Sequence, residues 1–284
     1  MAEELHFGRA ALRLHIGQPP LSQQLRRLEL DLGVQLFRRT KRKVELTAAG
    51  AAFLDGANAV LAQAARARSA AIRAANGEIG ELVIGFVPTC DGRLLSRVIA
   101  RLRDVAPQLR VRIESLSTSA QATALITGAL DAGFVRLPLA DPLLMVEPVQ
   151  REGLWVSMPD QHRLAAKAVL VLDDLAGENL VLFPRMIAPG YYDALLDLMA
   201  RRRLRLPVSQ HAEQVQAILT IVSAGLGLSV HPEATTVLAY PGITYRRLDE
   251  AFTADTGLAW RRDRSADGLT QLLNVVRSVT QETS

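Results

Sequence analysis

Gln18, Ser22 and Arg26 fall at i, i+4 and i+8 of one helical register, so their side chains share a face, flanked by Gln23 and Arg27. Amide, hydroxyl and guanidinium groups hydrogen-bond base edges and phosphates, and a DNA major groove is wide enough to admit the helix that carries them. Leu21, Leu25, Leu28 and Leu32 form a second stripe on the same segment, the pattern of a buried face. Downstream, Arg38, Arg39, Lys41, Arg42 and Lys43 crowd a short stretch between the β-like pieces 34–37 and 44–46. A hairpin with such a cationic tip suits contact with a phosphate backbone; alone, the same turn would be ordinary solvated surface.

A second set of residues has the chemistry of anion binding. Pro88-Thr89 closes an apolar run, Ser117-Thr118-Ser119 precedes a helix expected to start at Ala120, and Phe183-Pro184-Arg185 closes another apolar run. Hydroxyls beside the free N–H groups of a helix start favour an anion. Arg136, after Gly133-Phe134-Val135, adds a guanidinium, the side chain best suited to a carboxylate. The plainer alternatives are that the hydroxyls only cap a helix and that each arginine is surface or half of a structural ion pair. Cys90 is either a thiol sensor near a helix start or a small buried residue, and the chain holds no second cysteine to resolve a disulfide. The 5 histidines show no metal-ligand spacing. No phosphate-loop, nucleophile-elbow or dinucleotide fingerprint occurs, so neither catalysis nor a cofactor is expected.

Positioning these residues requires particular elements. Residues 7–14 read as a short helix with Phe7, Ala10, Ala11 and Leu14 on one face, followed by the turn His15-Ile16-Gly17. Pro19 and Pro20 suit the first turn of the next helix, which runs to about Leu32 and stops at Gly33. Two short helices joined by a tight turn make a helix-turn-helix, and the basic hairpin makes its wing. Thr47 caps a long alanine-rich helix to about Ala75. On it Phe53, Ala57, Val60, Ala64, Ala67 and Ala71 repeat with heptad spacing, either a two-stranded coiled-coil seam or a face packed on its own domain. Residues 76–80 read as a hinge.

From residue 81 the pattern is β-α-β-α-β: strands near 82–87, 111–115 and 132–135, with helices near 93–105 and 120–126. A second such unit starts near Gly153, with strands near 154–158, 180–183 and 228–231. Residues 258–260 and a last helix near 268–279 return to the first unit, with crossings near 148–153 and 251–256. The expected organisation is a DNA-binding head over 1–46, a linker over 47–80 and a binding domain over 81–284. Its first lobe spans about 81–148 and 256–284, its second about 151–250. Ligands of open α/β sheets sit where strands end and helices begin.

Size and charge fit this division. A chain of 284 residues with 49% hydrophobic content can bury two cores. Residues 1–78 carry 12 Lys/Arg against 7 Asp/Glu, while the whole chain has a net charge of +4, so the remainder is nearly neutral. A basic head on a neutral body is expected when one end meets phosphate. No apolar run approaches the ~20 residues of a bilayer span, and the N-terminus lacks the apolar core of a signal peptide, so a soluble cytoplasmic protein is expected.

The run FGRAALRLHIGQPPLSQQLRRLELDLGVQLFRRT and then VELTAAG resembles the DNA-binding head of LysR-type transcriptional regulators. The resemblance implies that Gln18, Pro19, Ser22, Gln23 and Arg26 belong to the recognition helix and Arg38–Arg42 to the wing. It further implies a linker helix that dimerises, a homodimer or homotetramer on double-stranded DNA, RNA polymerase as a partner, and a two-lobed effector domain similar to periplasmic solute-binding proteins. Two departures stand out: serine is usual where this chain has Gly17, and family members carry a further helix ahead of the segment at Glu3, whose loss would expose Phe7, Leu14 and part of the leucine stripe. GFVPT, STSAQ, GFVRL and LFPR resemble the corresponding stretches of muconate- and chlorocatechol-responsive members. That implies an aromatic-degradation dicarboxylate as effector, at Thr89, Thr118, Arg136, Phe183 and Pro184; Ser117 and Arg185 join them on chemistry alone. Three functions remain: an effector-gated regulator, a solute-binding or transport component, and a sensor whose incomplete head no longer binds DNA.

Overall fold

A computed structural model describes residues 1–2, 4–39, 43–75, 80–204, 206–264 and 267–282. The chain divides into two compact units, residues 1–68 and 69–284.

In the first unit, helix α1 (Phe7–Arg13) is capped by His6, whose Nδ1 accepts the Arg9 N–H at 3.2 Å. Ala10 and Ala11 are buried against Leu21, with Phe7 and Met1 packed around them. Leu14 does not join this face: the helix stops at Arg13, His15 takes φ 55°, and Leu14 is left 54% exposed. Helix α2 (Gln18–Leu32) starts after Gly17, which offers no side-chain cap, and ends at Gly33 in the left-handed conformation, φ 68°. Leu21 and Leu25 are buried and Leu28 half-buried, but Leu32 is exposed because the last turn projects past the packing surface.

Strands β1 (Phe37–Arg39) and β2 (Val44–Leu46) pair antiparallel, with Phe37 opposite Leu46. The first strand was expected from Val34. It begins later because the Glu29 carboxylate accepts the N–H groups of Leu36 (3.0 Å) and Phe37 (3.1 Å), holding 34–36 in a turn. Helix α3 (Ala48–Ala75) starts at Thr47, whose Oγ1 accepts the Gly50 N–H at 2.9 Å and donates to the Gln35 carbonyl at 2.7 Å. Gly50 is required here, since a Cβ would fall on the Leu36 carbonyl. Lys41 and Arg42 of the expected wing tip and residues 76–79 of the expected hinge lie outside the described residues.

The second unit has two lobes. In chain order its elements are β3 (Glu81–Phe86), α4 (Gly92–Val105), β4 (Arg110–Ser115), α5 (Thr118–Ile126), β5 (Ala132–Arg136), β6 (Leu144–Gln150), β7 (Leu154–Pro159), β8 (Val169–Leu170), β9 (Leu180–Leu182), α6 (Pro189–Arg201), β10 (Val208–His211), α7 (Val215–Ser223), β11 (Ser229–Pro232), β12 (Ile243–Leu248), β13 (Thr256–Arg261) and α8 (Asp267–Gln281). The first lobe is the sheet β4-β3-β5-β13-β6, parallel across β4, β3 and β5 and antiparallel where β13 joins β5 and β6. Fully buried Ile84 and Phe134 pack with α4 and α8 on one side of it, and Leu125 and Val135 with α5 on the other.

The second lobe departs from the expected β-α-β repeat. Its main sheet is β11-β7-β12-β8, with β7 antiparallel to both neighbours, while β9 pairs parallel with β10. The chain crosses between lobes after β6 and again before β13, so the strand ends of both lobes face one cleft.

Candidate functional site: a nucleic-acid face and an interlobe cleft

On α2, Gln18, Pro19, Gln23 and Arg26 are exposed and Ser22 is half-exposed, while Leu21 and Leu25 face the core. The helix therefore divides its surface as its two stripes require. Arg38 is exposed on β1 opposite Glu45, and the Arg39 backbone pairs with Val44. Lys43 holds Glu45 at 2.6 Å and keeps its carboxyl below the usual range.

The cleft holds about 610 Å³ of empty space, open solvent included. The first lobe contributes Thr89 after β3, Ser117 and Thr118 at the start of α5, and Arg136 at the end of β5; Phe183 after β9 faces them from the second lobe. Helix α5 begins two residues earlier than expected. Ser117 is its N-cap, accepting the Ala120 N–H at 3.2 Å, and Thr118 and Ser119 are inside the first turn, where N–H groups lack intrahelical acceptors. Pro184 and Arg185 lie outside the lining. Arg185 is turned to Asp193 in a two-point pair (2.7 Å each) on the surface, so its charge is already matched.

Arg136 is in the cleft but is not the uncommitted guanidinium expected. Only 3% exposed, it donates from Nη1 to the Ala254 carbonyl (2.7 Å) and Glu152 (3.3 Å), and from Nη2 to the Thr89 carbonyl (2.8 Å) and hydroxyl (3.1 Å). Its backbone N–H donates to the Thr118 hydroxyl at 3.0 Å. What remains is Nε, buried with no acceptor; the guanidinium carbon lies over the Tyr191 ring, 5.8 Å from its centroid. Glu152 accepts the Ala234 N–H with its other oxygen at 2.9 Å. Burial nevertheless raises its pKa, because the loss of water outweighs the attraction of Arg136.

Three hydroxyls are thus set alike. Those of Thr89, Thr118 and Ser117 each accept from a protein N–H, which leaves each O–H to donate. Tyr191, which the sequence reading missed, adds a phenol buried without a partner and pushed up to about 12 by burial. His231, also missed, lines the opposite wall and is hydrogen-bonded through Nε2 to Ser157 Oγ at 2.7 Å. Burial pushes its pKa down to about 4, so it is neutral at pH 7. Burial pushes the Cys90 thiol up to about 12, away from the thiolate that a sensor would use.

Among the described residues no group of three or more His, Cys, Asp or Glu is placed to hold a metal, and no helix is long and apolar enough to cross a membrane. A recognition helix with a hairpin wing, joined in one chain to a two-lobed cleft lined by donors, defines a DNA-binding protein with a small-molecule domain. The family of bacterial regulatory helix-turn-helix proteins of the lysR type matches residues 1–51, and the LysR substrate binding domain matches residues 75–281. The chain belongs to the LysR family of transcriptional regulators, which are not enzymes. It is 36% identical over 264 residues to the transcriptional regulator AlsR of Bacillus subtilis, covering 93% of this chain and 87% of that protein. It is similar to the LysR-family regulator CbnR, solved alone (TM-score 0.76, 27% identity, 98% of this chain and 95% of that one) and with its target DNA (TM-score 0.73, 27% identity, 98% and 96%). It also resembles the effector-binding domain of BenM with its effector benzoate (TM-score 0.62, 26% identity, 72% of this chain and 93% of that one).

Proposed function

We propose that the chain is a cytoplasmic regulator whose grip on promoter DNA is gated by a small organic carboxylate bound in the interlobe cleft. The observation that carries this reading is the convergence of donors without acceptors: the Ser117, Thr118 and Thr89 hydroxyls, the first turn of α5, Arg136 Nε and the Tyr191 phenol. A carboxylate supplies acceptors to such a set, and a helix N-terminus favours its charge. Benzoate as the effector of BenM is in keeping with this chemistry. On the head, Gln18, Pro19, Ser22, Gln23 and Arg26 meet the major groove, and Arg38, Arg39, Lys41 and Arg42 the flanking phosphates.

The seam of α3 joins two such chains, and a tetramer follows by pairing dimers. RNA polymerase is the partner through which binding changes transcription. The ligand acts by binding one arrangement of the two lobes better than another, since equal affinity for both would shift nothing. Thermal unfolding with benzoate and simple carboxylates tests the site. The expected result is a rise in melting temperature that shrinks in Ser117→Ala and Thr118→Val; a rise unchanged by both substitutions would place the ligand elsewhere.

A further inference from the structure

The electrostatic balance of the cleft limits how many charges its ligand can carry. Among the described residues, Arg136 is the only cationic side chain in the lining, and Glu152 balances it at 3.3 Å. The pair is neutral as a unit, so attraction for an anion comes from the uncharged donors gathered at one end: the start of α5, the three hydroxyls and Tyr191. Partial charges at one helix terminus amount to about half an elementary charge, enough for one carboxylate.

Among the described residues the opposite wall offers no cationic side chain. Phe183, Ile187, Val215, Ile218, Val230 and Pro232 make it apolar, and His231 among them is neutral. Two further helices start beside the cleft: α6, after Ala188 and next to Tyr191 at the donor end, and α7, which is preceded by the chain's own acid. Its N-cap Gln214 makes no side-chain cap bond, and Glu213, one residue ahead and lining the mouth, offsets the positive end of that helix. A second carboxylate reaching this wall would lose water among apolar side chains and would meet Glu213 as a like charge at the start of α7.

We infer that the effector carries a single carboxylate on an apolar body, and that the cleft rejects a second negative charge at its far end. This rests on the carboxylate site proposed above and replaces the dicarboxylate suggested by family resemblance. The carboxylate seats at the start of α5, and the body lies against the apolar wall, where each buried methylene adds affinity. Glu213 is the specificity-determining residue.

The test is calorimetric titration of the full chain with two isosteric pairs: hexanoate against adipate, and 4-methylbenzoate against terephthalate. The monoacid of each pair should bind at least about tenfold more tightly, the ratio that 1.4 kcal/mol sets. In Glu213→Lys, an exposed position, the ratio should fall severalfold through a gain by the diacid. A diacid that binds wild-type protein as tightly as its monoacid overturns the single-charge inference while leaving the cleft as a carboxylate site. A ratio unmoved by Glu213→Lys overturns the role of that residue. No binding by any of the four acids overturns the carboxylate site itself.

Discussion

His231 is closed off in the second lobe at 4% exposure, and burial holds its pKa near 4 against 6.5 in the open chain. Between those values the unfolded state binds the proton and the folded state does not, so stability rises with pH. The contribution is fully present above about pH 6.5 and is lost as pH falls toward 4, roughly 3 kcal/mol in all. Urea unfolding at pH 7.5 and 4.5 should show this loss, and His231→Gln should remove much of the difference. Arg136→Met should cost about 3–5 kcal/mol, because it leaves Glu152 buried and unpaired; chemical unfolding of wild type and variant measures it. The strand-end rule named the neighbourhood of Thr89, Ser117, Thr118, Arg136 and Phe183, since strand order fixes which loops meet. It could not say that both guanidinium groups were already paired: Asp193 lies eight residues beyond Arg185, and Glu152 lies on a crossing with no local link to Arg136. Tyr191 and His231 carried no sequence signal, as buried aromatic and imidazole groups at element ends are ordinary core residues.

At the scale of elements, the junction of wing and linker depends on one threonine and one glycine. Thr47→Ala removes the Gly50 cap and the bond to the Gln35 carbonyl and should cost the head about 1–2 kcal/mol. Gly50→Ala should cost more, because the clash is with the Leu36 backbone rather than a side chain that can move. Guanidinium unfolding followed by helix circular dichroism ranks the two. Helices α1, α2 and α3 were readable from their periodicity, with Pro19, Pro20 and Gly33 bounding α2 and Thr47 capping α3. Strands β6 and β12 were not. Glu147 and Pro148 interrupt β6, where an edge position tolerates proline, and Arg246 and Arg247 hide the alternation of β12. Pairing with β13 and β7, more than 80 residues away for each strand, supplies the order that local sequence lacks.

For the whole molecule, the exposed apolar side chains of α3 bear on assembly. Phe53 is 36% and Val60 69% exposed on the heptad seam, and Leu61 beside it is 68% exposed. In the dimer proposed above, a second copy of the helix would cover this stripe. Light scattering should give a dimer or tetramer for the wild type and a smaller species for Val60→Asp, whose carboxylate would lie in the seam. Two heads held together are what a site with half-sites one helical turn apart demands. The most direct measurement is binding of the full chain to the DNA flanking its own gene, by fluorescence anisotropy across 50–200 mM salt. The affinity should fall by about a thousandfold or more over that range, weaken in Arg26→Ala, and change when benzoate or hexanoate is added. Absence of binding at the lowest salt, or an affinity indifferent to both salt and carboxylate, would contradict a DNA grip gated through the cleft.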